Sequence, residues 1–189
     1  MNRREAIQRV ALLMGGAVIG SSLFLEGCTR TASKEVASLF EKDTMNLLGD
    51  LAEAILPKTS TPGAKEAGVG EFIPVMIRDC YSPEDQKAFL EGLGKIDDRA
   101  NEKHGKDFQQ LTPEEQLTFV NEYDKEAKEY QTNKKEEDPN HFFTMLKQLT
   151  LTGFFTSEVG MKQALNYVKI PGRYDGEFPY KKGDKAWAI

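Results

Sequence analysis

The sequence predicts a mainly α fold: a small helical domain of about five to six helices, with a long loop after the first helix and an irregular aromatic C-terminal tail. Three observations predict this fold class. Apolar residues recur at helical spacing in several segments, a hydroxyl residue followed by proline precedes two long segments, and alternating strand-like runs are absent after residue 28.

The composition limits the class of protein. The chain has 189 residues, a net charge of -5 and a pI near 5.2. One compact domain fits this length, because domains usually contain roughly 100 to 200 residues. A mildly acidic surface gives no electrostatic footprint for nucleic acid, so nucleic acid is not an expected partner.

Residues 1–27 are predicted to be a signal peptide. Arg3 and Arg4 precede an apolar run, residues 10–24, that is short and diluted by glycine and serine, unlike a membrane-spanning helix. The arginine pair fits a twin-arginine signal, which exports folded cargo, whereas Ala6 and Gln8 depart from that pattern. Folded export is the preferred interpretation, and export of an unfolded chain remains the alternative.

Cys28 ends a stretch, Leu25-Glu26-Gly27-Cys28, that resembles a lipobox, in which the signal is cut before a lipid-bearing cysteine. Glu26 is unusual in such a box, and an ordinary cysteine is the alternative. Because each buried methylene contributes about 0.8 kcal/mol, lipid on Cys28 would hold the chain at the periplasmic side of the cell envelope. Cys80 is then the only other thiol: we expect it to be buried, with a bond to another subunit as the alternative.

After the signal, residues 28–42 are predicted to form a polar tether, and residues 43–189 are predicted to form the helical domain. Segments 43–56, 71–80, 83–103, 113–130, 142–149 and 157–164 are the predicted helices. Residues 57–70 form the long loop, because prolines and glycines interrupt any helix there. Pro74 is expected in the first turn of its helix, where proline is tolerated.

Two start signals open the third and fourth helices. Ser82-Pro83-Glu84-Asp85 and Thr112-Pro113-Glu114-Glu115 each supply a hydroxyl cap, proline at the first helical position, and acids near the positive end of the helix dipole. Helical spacing predicts that the following residues point inward: Phe89, Leu90, Leu93, Ile96 and Ala100 in the third helix, and Leu117, Val120, Tyr123, Ala127 and Tyr130 in the fourth.

The C-terminal tail, residues 170–189, contains too many prolines and glycines for a long regular element. It nevertheless carries Tyr174, Phe178, Tyr180 and Trp187. Aromatic side chains contribute large contact areas, so the tail either packs across its own domain or contacts another protein. Composition does not separate these two options.

No residue pattern predicts catalysis, a metal site or a cofactor in this chain. His104 and His141 lie outside metal-binding spacings. His104 is expected near a helix C-terminus, where a cationic ring is favourable, and His141 near a helix start, and both are expected to be structural. Nucleophile elbows, phosphate-binding loops and dinucleotide glycine fingerprints are absent from the sequence.

Three ordered motifs resemble the gluconate 2-dehydrogenase subunit 3 family. They are Leu51-Ala52-Glu53-Ala54-Ile55-Leu56-Pro57 running into the 61–69 segment TPGAKEAGV, then Phe154-Phe155-Thr156-Ser157-Glu158-Val159-Gly160, and then the 168–176 segment VKIPGRYDG. The resemblance covers the chain from about residue 43 to the C-terminus.

The resemblance implies an accessory role. Members of that family are small subunits of membrane-associated dehydrogenases, whose large subunit, of the glucose-methanol-choline oxidoreductase type, binds FAD and oxidises a sugar or sugar acid. Such complexes often pass electrons to a cytochrome c subunit. The small subunit has no established cofactor, so FAD is expected in the partner and no catalytic residue is transferred to this chain.

The 61–69 loop and the 171–187 tail are the expected surfaces for gripping the large subunit. The candidate interface residues are Thr61, Pro62, Gly63, Pro171, Gly172, Arg173, Tyr174, Asp175 and Trp187. Internal packing of both segments is the alternative. Two other functions also stay open: a free-standing periplasmic binding lipoprotein, and an independent enzyme of unrecognised type.

Overall fold

The computed structural model describes residues 34–173 and 175–188. Over these residues the chain forms seven α-helices: α1 (Lys34–Ala37), α2 (Lys42–Ile55), α3 (Val69–Cys80), α4 (Pro83–Gly94), α5 (Ile96–His104), α6 (Pro113–Asn133) and α7 (Phe142–Thr156). Short 3-10 turns at Ser38–Phe40 and Phe108–Gln110 and a π turn at Gly160–Ala164 complete the helical part. The mainly α fold class is confirmed.

Helix α7 lies at the centre of the domain and contacts α2, α3, α4 and α6. Its sequence is apolar around much of its circumference, which is typical of a core helix. The buried residues of α7 are Phe142, Phe143, Met145, Leu146, Leu149, Thr150, Gly153 and Phe154. The hydroxyl of the buried Thr150 donates to the carbonyl of Leu146 at 2.8 Å, so burial leaves this polar group satisfied.

The two predicted start signals are confirmed. Ser82 caps α4 by accepting a hydrogen bond from the backbone N–H of Asp85 at 3.2 Å. Thr112 forms a complete capping box with Glu115, in which each side chain accepts from the other residue's backbone N–H. The backbone bond to Thr112 is the largest of the effects that lower the pKa of Glu115.

The predicted helix over residues 83–103 is divided in two. Helix α4 ends at Gly94, Lys95 separates it from α5, and the N–H of Lys95 bonds the carbonyl of Gly92 at 3.3 Å. The ring of Phe142 packs against Gly92 of α4, and a Cβ on Gly92 would overlap that ring. Gly92, which this close packing requires, also weakens the helix locally, as does Gly94.

Two predicted inward residues of α6 are exposed instead. Leu117 is 51% exposed and Tyr130 is 36% exposed, whereas Phe119 is buried at 1%. The buried face of α6 therefore includes Phe119, Val120, Tyr123 and Ala127. Phe119 contacts Phe108, with ring centroids 5.4 Å apart, and this tertiary contact selects the buried face.

The folded domain begins before the predicted boundary at residue 43. Helix α1 and the turn after it place Val36 and Leu39 in the core, at 1% and 0% exposure. Residues 34–42 are therefore part of the domain and not a tether, because Val36 and Leu39 are buried in its core. The signal peptide and the rest of the predicted tether, residues 1–33, lie outside the described residues.

Helix α3 begins at Val69, two residues earlier than predicted, so Pro74 lies in its second turn. A proline there removes the hydrogen bond to the carbonyl of Gly70. Gly70 sits where α3 crosses α2, and a Cβ would lie 2.6 Å from the carbonyl oxygen of Met45. Burial of Pro74 and this close helix contact compensate for the lost bond.

The final short helix is confirmed, with Ser157 at its start. The Ser157 hydroxyl donates to the carbonyl of Phe154 at 2.7 Å and accepts from the N–H of Gly160 at 2.9 Å. A Cβ on Gly160 would overlap the Phe154 carbonyl oxygen. One of the sequence motifs, residues 154–160, is therefore a tight connection in which only glycine fits at position 160.

Beyond this connection, β1 (Asn166–Tyr167) pairs in parallel with β2 (Trp187–Ala188), with Asn166 opposite Trp187. Of these two strands only β2 lies in the tail, residues 170–189, for which no long regular element was expected. Among the described residues, no helix has the length and apolar character needed to cross a bilayer.

Replacing Gly160 with Ala should lower the free energy of unfolding by about 2 to 3 kcal/mol, because the new methyl group meets backbone and not a movable side chain. Thermal or denaturant unfolding of the purified chain would measure the change. Gly94→Ala is the matched control, since nothing lies within 4 Å of its Cβ position. Equal stability of the two variants would contradict this account.

Candidate partner interface

The loop after α2 is held to its own domain by one carboxylate. Glu53 accepts a hydrogen bond from the backbone N–H of Lys58 at 2.9 Å and another from the N–H of Lys65 at 2.8 Å. Gly63 lies against the same carboxylate, and a Cβ there would overlap it. The glutamate and glycine of the first sequence motif therefore act together to fold this loop.

Three predicted interface residues lie in this loop, and their exposure favours internal packing. Pro62 and Gly63 are buried, and Thr61 is half-buried. The N–H of Ala64 also bonds the carbonyl of Leu56 at 3.0 Å, which ties the loop to the end of α2. Pro62 and Gly63 therefore offer little surface to a partner, which favours the alternative of internal packing for this loop.

The C-terminal tail forms a closed loop, residues 166–188, which we call the arm. The N–H of Asn166 bonds the carbonyl of Ala186 at 2.8 Å, and the N–H of Val168 bonds that of Ala188 at 2.9 Å. The side-chain amide of Asn166 donates to the carbonyl of Lys185, and the ammonium of Lys185 donates to the carbonyl of Gln163. Both ends of the arm are therefore fixed at its base.

The arm brings five of the predicted interface residues together. A cleft of about 590 Å³ is lined by Pro171, Gly172, Arg173, Asp175 and Trp187, together with Val168 and Phe178. Arg173 and Asp175 form an ion pair at 3.5 Å within this lining. Tyr174, the remaining predicted residue of the tail, lies outside the described residues.

The apolar side chains of the arm are exposed. Ile170 is 78% exposed, Tyr180 77%, Phe178 56% and Trp187 55%. The rings of Phe178 and Trp187 meet edge to face with centroids 5.4 Å apart, so they support one another without being covered. Among the described residues of the chain, the tail therefore does not pack across its own domain.

A second concave region lies where α4, α5 and α6 meet the segment before α7. This groove has a volume of about 840 Å³ and contains several charged side chains, among them Arg99, Glu126 and His141. The Arg99 guanidinium lies over the Tyr123 ring at 4.2 Å and donates to Glu126 at 2.5 Å. The residues that line the groove come from four separate segments and match no motif, so the sequence gives no sign of the groove.

His141 lies at one end of the groove and also caps α7. Its Nδ1 accepts from the N–H of Phe143 at 3.2 Å, and its Nε2 lies 3.8 Å from Glu126. Burial lowers the pKa of His141; Glu126 opposes this effect and Arg99 adds to it. His141 thus lies at a helix start, as expected, and its neutral ring accepts a hydrogen bond there.

Charged side chains that line the groove take part in two ion pairs. Arg99 is paired with Glu126, and Lys103 is paired with Glu122. In the described part of the chain, no group of three or more histidine, cysteine, aspartate or glutamate side chains is placed to hold a metal ion. The arm, whose apolar groups are uncovered, is therefore the stronger candidate for a functional surface.

Four predicted site residues remain: Cys80, which the structure describes, and Arg3, Arg4 and Cys28, which it does not. Cys80 is exposed as a free thiol, so the expectation that it is buried is wrong. It ends α3, three residues after Ile77, the last buried residue of that helix. Arg3, Arg4 and Cys28 lie outside the described residues.

Replacing Glu53 with Ala should lower the free energy of unfolding by about 1 to 3 kcal/mol, because two backbone N–H groups lose a charged acceptor. Chemical denaturation would measure this loss. Glu66→Ala is the matched control: Glu66 pairs only with the exposed Lys58, and its removal should change stability by less than about 0.5 kcal/mol. Similar losses in both variants would refute the loop-holding role.

The stability of the chain should fall as the pH decreases from about 6.5, the ordinary pKa of histidine in an unfolded chain. The neutral His141 ring stabilises the fold above this pH, and its contribution is lost as the pH falls through the lowered pKa of the folded state. His141→Asn keeps a capping side chain without a titrating group. Unfolding midpoints measured between pH 7.5 and 5 should vary less for this variant, and an unchanged pH dependence would contradict the assignment.

Comparison with known proteins places the chain in a family. The family model for gluconate 2-dehydrogenase subunit 3 matches residues 42–172, which begin at the first residue of α2 and end in the arm. No curated protein and no solved structure shows significant similarity to the chain. The match covers well over half of the sequence and includes the two glycine-dependent connections and the first strand of the arm, β1. The chain belongs to the gluconate 2-dehydrogenase subunit 3 family.

Proposed function

We propose that this chain is a non-catalytic small subunit that escorts, stabilises and membrane-anchors an FAD-dependent sugar or sugar-acid dehydrogenase large subunit. Family membership supports the accessory role, because the family is named for the third subunit of a dehydrogenase. The proposal assigns FAD and the oxidation of the substrate to the large subunit.

The observation that carries the proposal is the exposed aromatic arm. Its four large apolar side chains are each more than half exposed, and two of them border a cleft. Burying a side chain of this size contributes roughly 1.5 to 3 kcal/mol, so a protein surface that covers the arm would gain stability. Aromatic residues are also enriched in the centres of protein interfaces.

The closed form of the arm suits this role. Hydrogen bonds at its base hold both ends, and the N–H of Lys181 bonds the Asp184 side chain at 2.8 Å in a further turn. A binding loop that is already ordered loses less conformational entropy on association. The arm is thus prepared to dock with little rearrangement.

The escort and anchoring roles rest on the N-terminal sequence. A flavoprotein acquires FAD while it folds in the cytoplasm, and Arg3 and Arg4 resemble the start of a signal for folded cargo. Lipid on Cys28 would then hold both subunits at the periplasmic side of the membrane. Mass spectrometry of the chain from its native envelope would test the lipid, and an unmodified Cys28 would remove the anchoring part of the proposal.

The direct test is purification of the native complex in mild detergent. An affinity tag belongs between Glu136 and Glu137, in the exposed segment between α6 and α7, because a C-terminal tag would lie on the arm. We expect a larger protein with flavin absorption and dehydrogenase activity on a sugar or sugar acid. A stable, colourless chain without a partner would instead favour the free-standing binding lipoprotein.

Replacing Phe178 and Trp187 together with Ala should reduce recovery of the large subunit at least tenfold, because the apolar contact area of the arm is lost. Quantitative mass spectrometry of the purified complex would measure the ratio of subunits. Leu117→Ala is the matched control: Leu117 is 51% exposed, as Trp187 is at 55%, but lies on α6. Unchanged recovery with the arm variant would remove the arm from the interface.

A further inference from the structure

The arm and the rest of the domain carry charge of opposite sign. Residues 34–165, which we call the body, contain 16 basic and 25 acidic residues, a net charge of -9. The arm, residues 166–188, contains five basic and three acidic residues, a net charge of +2. The overall charge of -5 therefore hides a positive segment on a strongly negative protein.

Most of the positive groups on the arm are available to a partner. Lys169, Lys181 and Lys182 are exposed and form no ion pair with any described residue of the chain. Arg173 is 85% exposed, and its pairing with Asp175 at 3.5 Å leaves most of the guanidinium open to solvent. These cations lie in the same closed loop as the exposed aromatic residues.

The body could itself have neutralised the arm, since opposite charges attract. Instead the described arm residues from 169 to 187 are all exposed, and the bonds that hold the arm join its two ends to one another and to Gln163. The positive charge of the arm therefore remains available for contact with another molecule.

We propose that the arm docks on an acidic surface of the large subunit, with Phe178 and Trp187 entering apolar depressions that acidic side chains surround. The inference rests on the proposed function and adds the chemistry of the surface that the arm recognises. Charge complementarity carries it: an acidic surface attracts the arm and repels the body, so the small subunit approaches in one orientation.

The apolar contacts and the charges of the arm should respond differently to salt concentration. The aromatic groups supply short-range contact, which salt affects little, whereas the lysines and Arg173 act over a distance that salt shortens. The screening length falls from about 10 Å at 0.1 M salt to about 3 Å at 1 M. Loss of the arm charge should therefore weaken association at low salt and matter little at high salt.

The test compares two triple variants of the complete chain, each with the internal tag between Glu136 and Glu137. In the arm variant, Lys169, Lys181 and Lys182 are replaced by Glu. In the body variant, the exposed Lys106, Lys125 and Lys135 are replaced by Glu, which gives the same change in total charge. Large subunit purified from the wild-type complex is added back to each immobilised chain, and its association and dissociation rates are recorded at 0.05 M and 1 M salt.

We expect the arm variant to associate about tenfold or more slowly than wild type at low salt, with the difference falling below about twofold at 1 M salt. The body variant should stay within about threefold of wild type at both concentrations. Wild-type circular dichroism and thermal unfolding of the arm variant would exclude misfolding, which is not expected because the three lysines are exposed.

Three other outcomes overturn the inference in different ways. Equal slowing of the arm and body variants would mean that only total charge matters. A complex that forms normally with the arm variant but is lost with Phe178→Ala and Trp187→Ala would mean that docking is apolar, and the proposed function would survive. Failure of the wild-type chain to bring down a flavin-containing partner would remove the proposed function and this inference together.

Discussion

Burial of α7 is the constraint on which the rest of the fold depends. Eight of its residues are buried, and four other helices contact it. Phe142 requires Gly92 on α4, because a Cβ there would overlap its ring, and Phe72 of α3 requires Gly153. Helices this closely packed cannot shift independently, so the segments that enter and leave α7 are held in fixed positions. His141, which lines the groove, lies directly before α7 in the chain. The connection that begins at Ser157 leads from the end of α7 to the arm.

The sequence motifs that identify the family have a structural explanation in this chain. Glu53 and Gly63 fold the loop after α2, and Ser157 and Gly160 form the tight connection after α7. These residues fix the path of the backbone in both connections, and the second connection leads to the arm.

The arm differs from the body in every physical respect that matters for recognition. The body buries its apolar groups and is acidic, whereas the arm leaves Ile170, Phe178, Tyr180 and Trp187 exposed and is basic. Exposed aromatic groups gathered in one ordered loop lower solubility unless something covers them. The proposed large subunit would cover these groups, so the exposure of the arm and the membership of the family support the same proposal.

Sequence alone determined the fold class, the two capped helix starts at Ser82 and Thr112, and the family, because these depend on local spacing and capping chemistry. Tertiary structure decided the rest. Phe119, and not Leu117, faces the core because Phe108 packs against it, and the long helix divides at Lys95 beside the glycine that accepts Phe142. Pro62 and Gly63 are buried and Trp187 is exposed, although all three belonged to one predicted interface. Burial depends on contacts between segments far apart in the chain, and no local pattern of residues encodes those contacts.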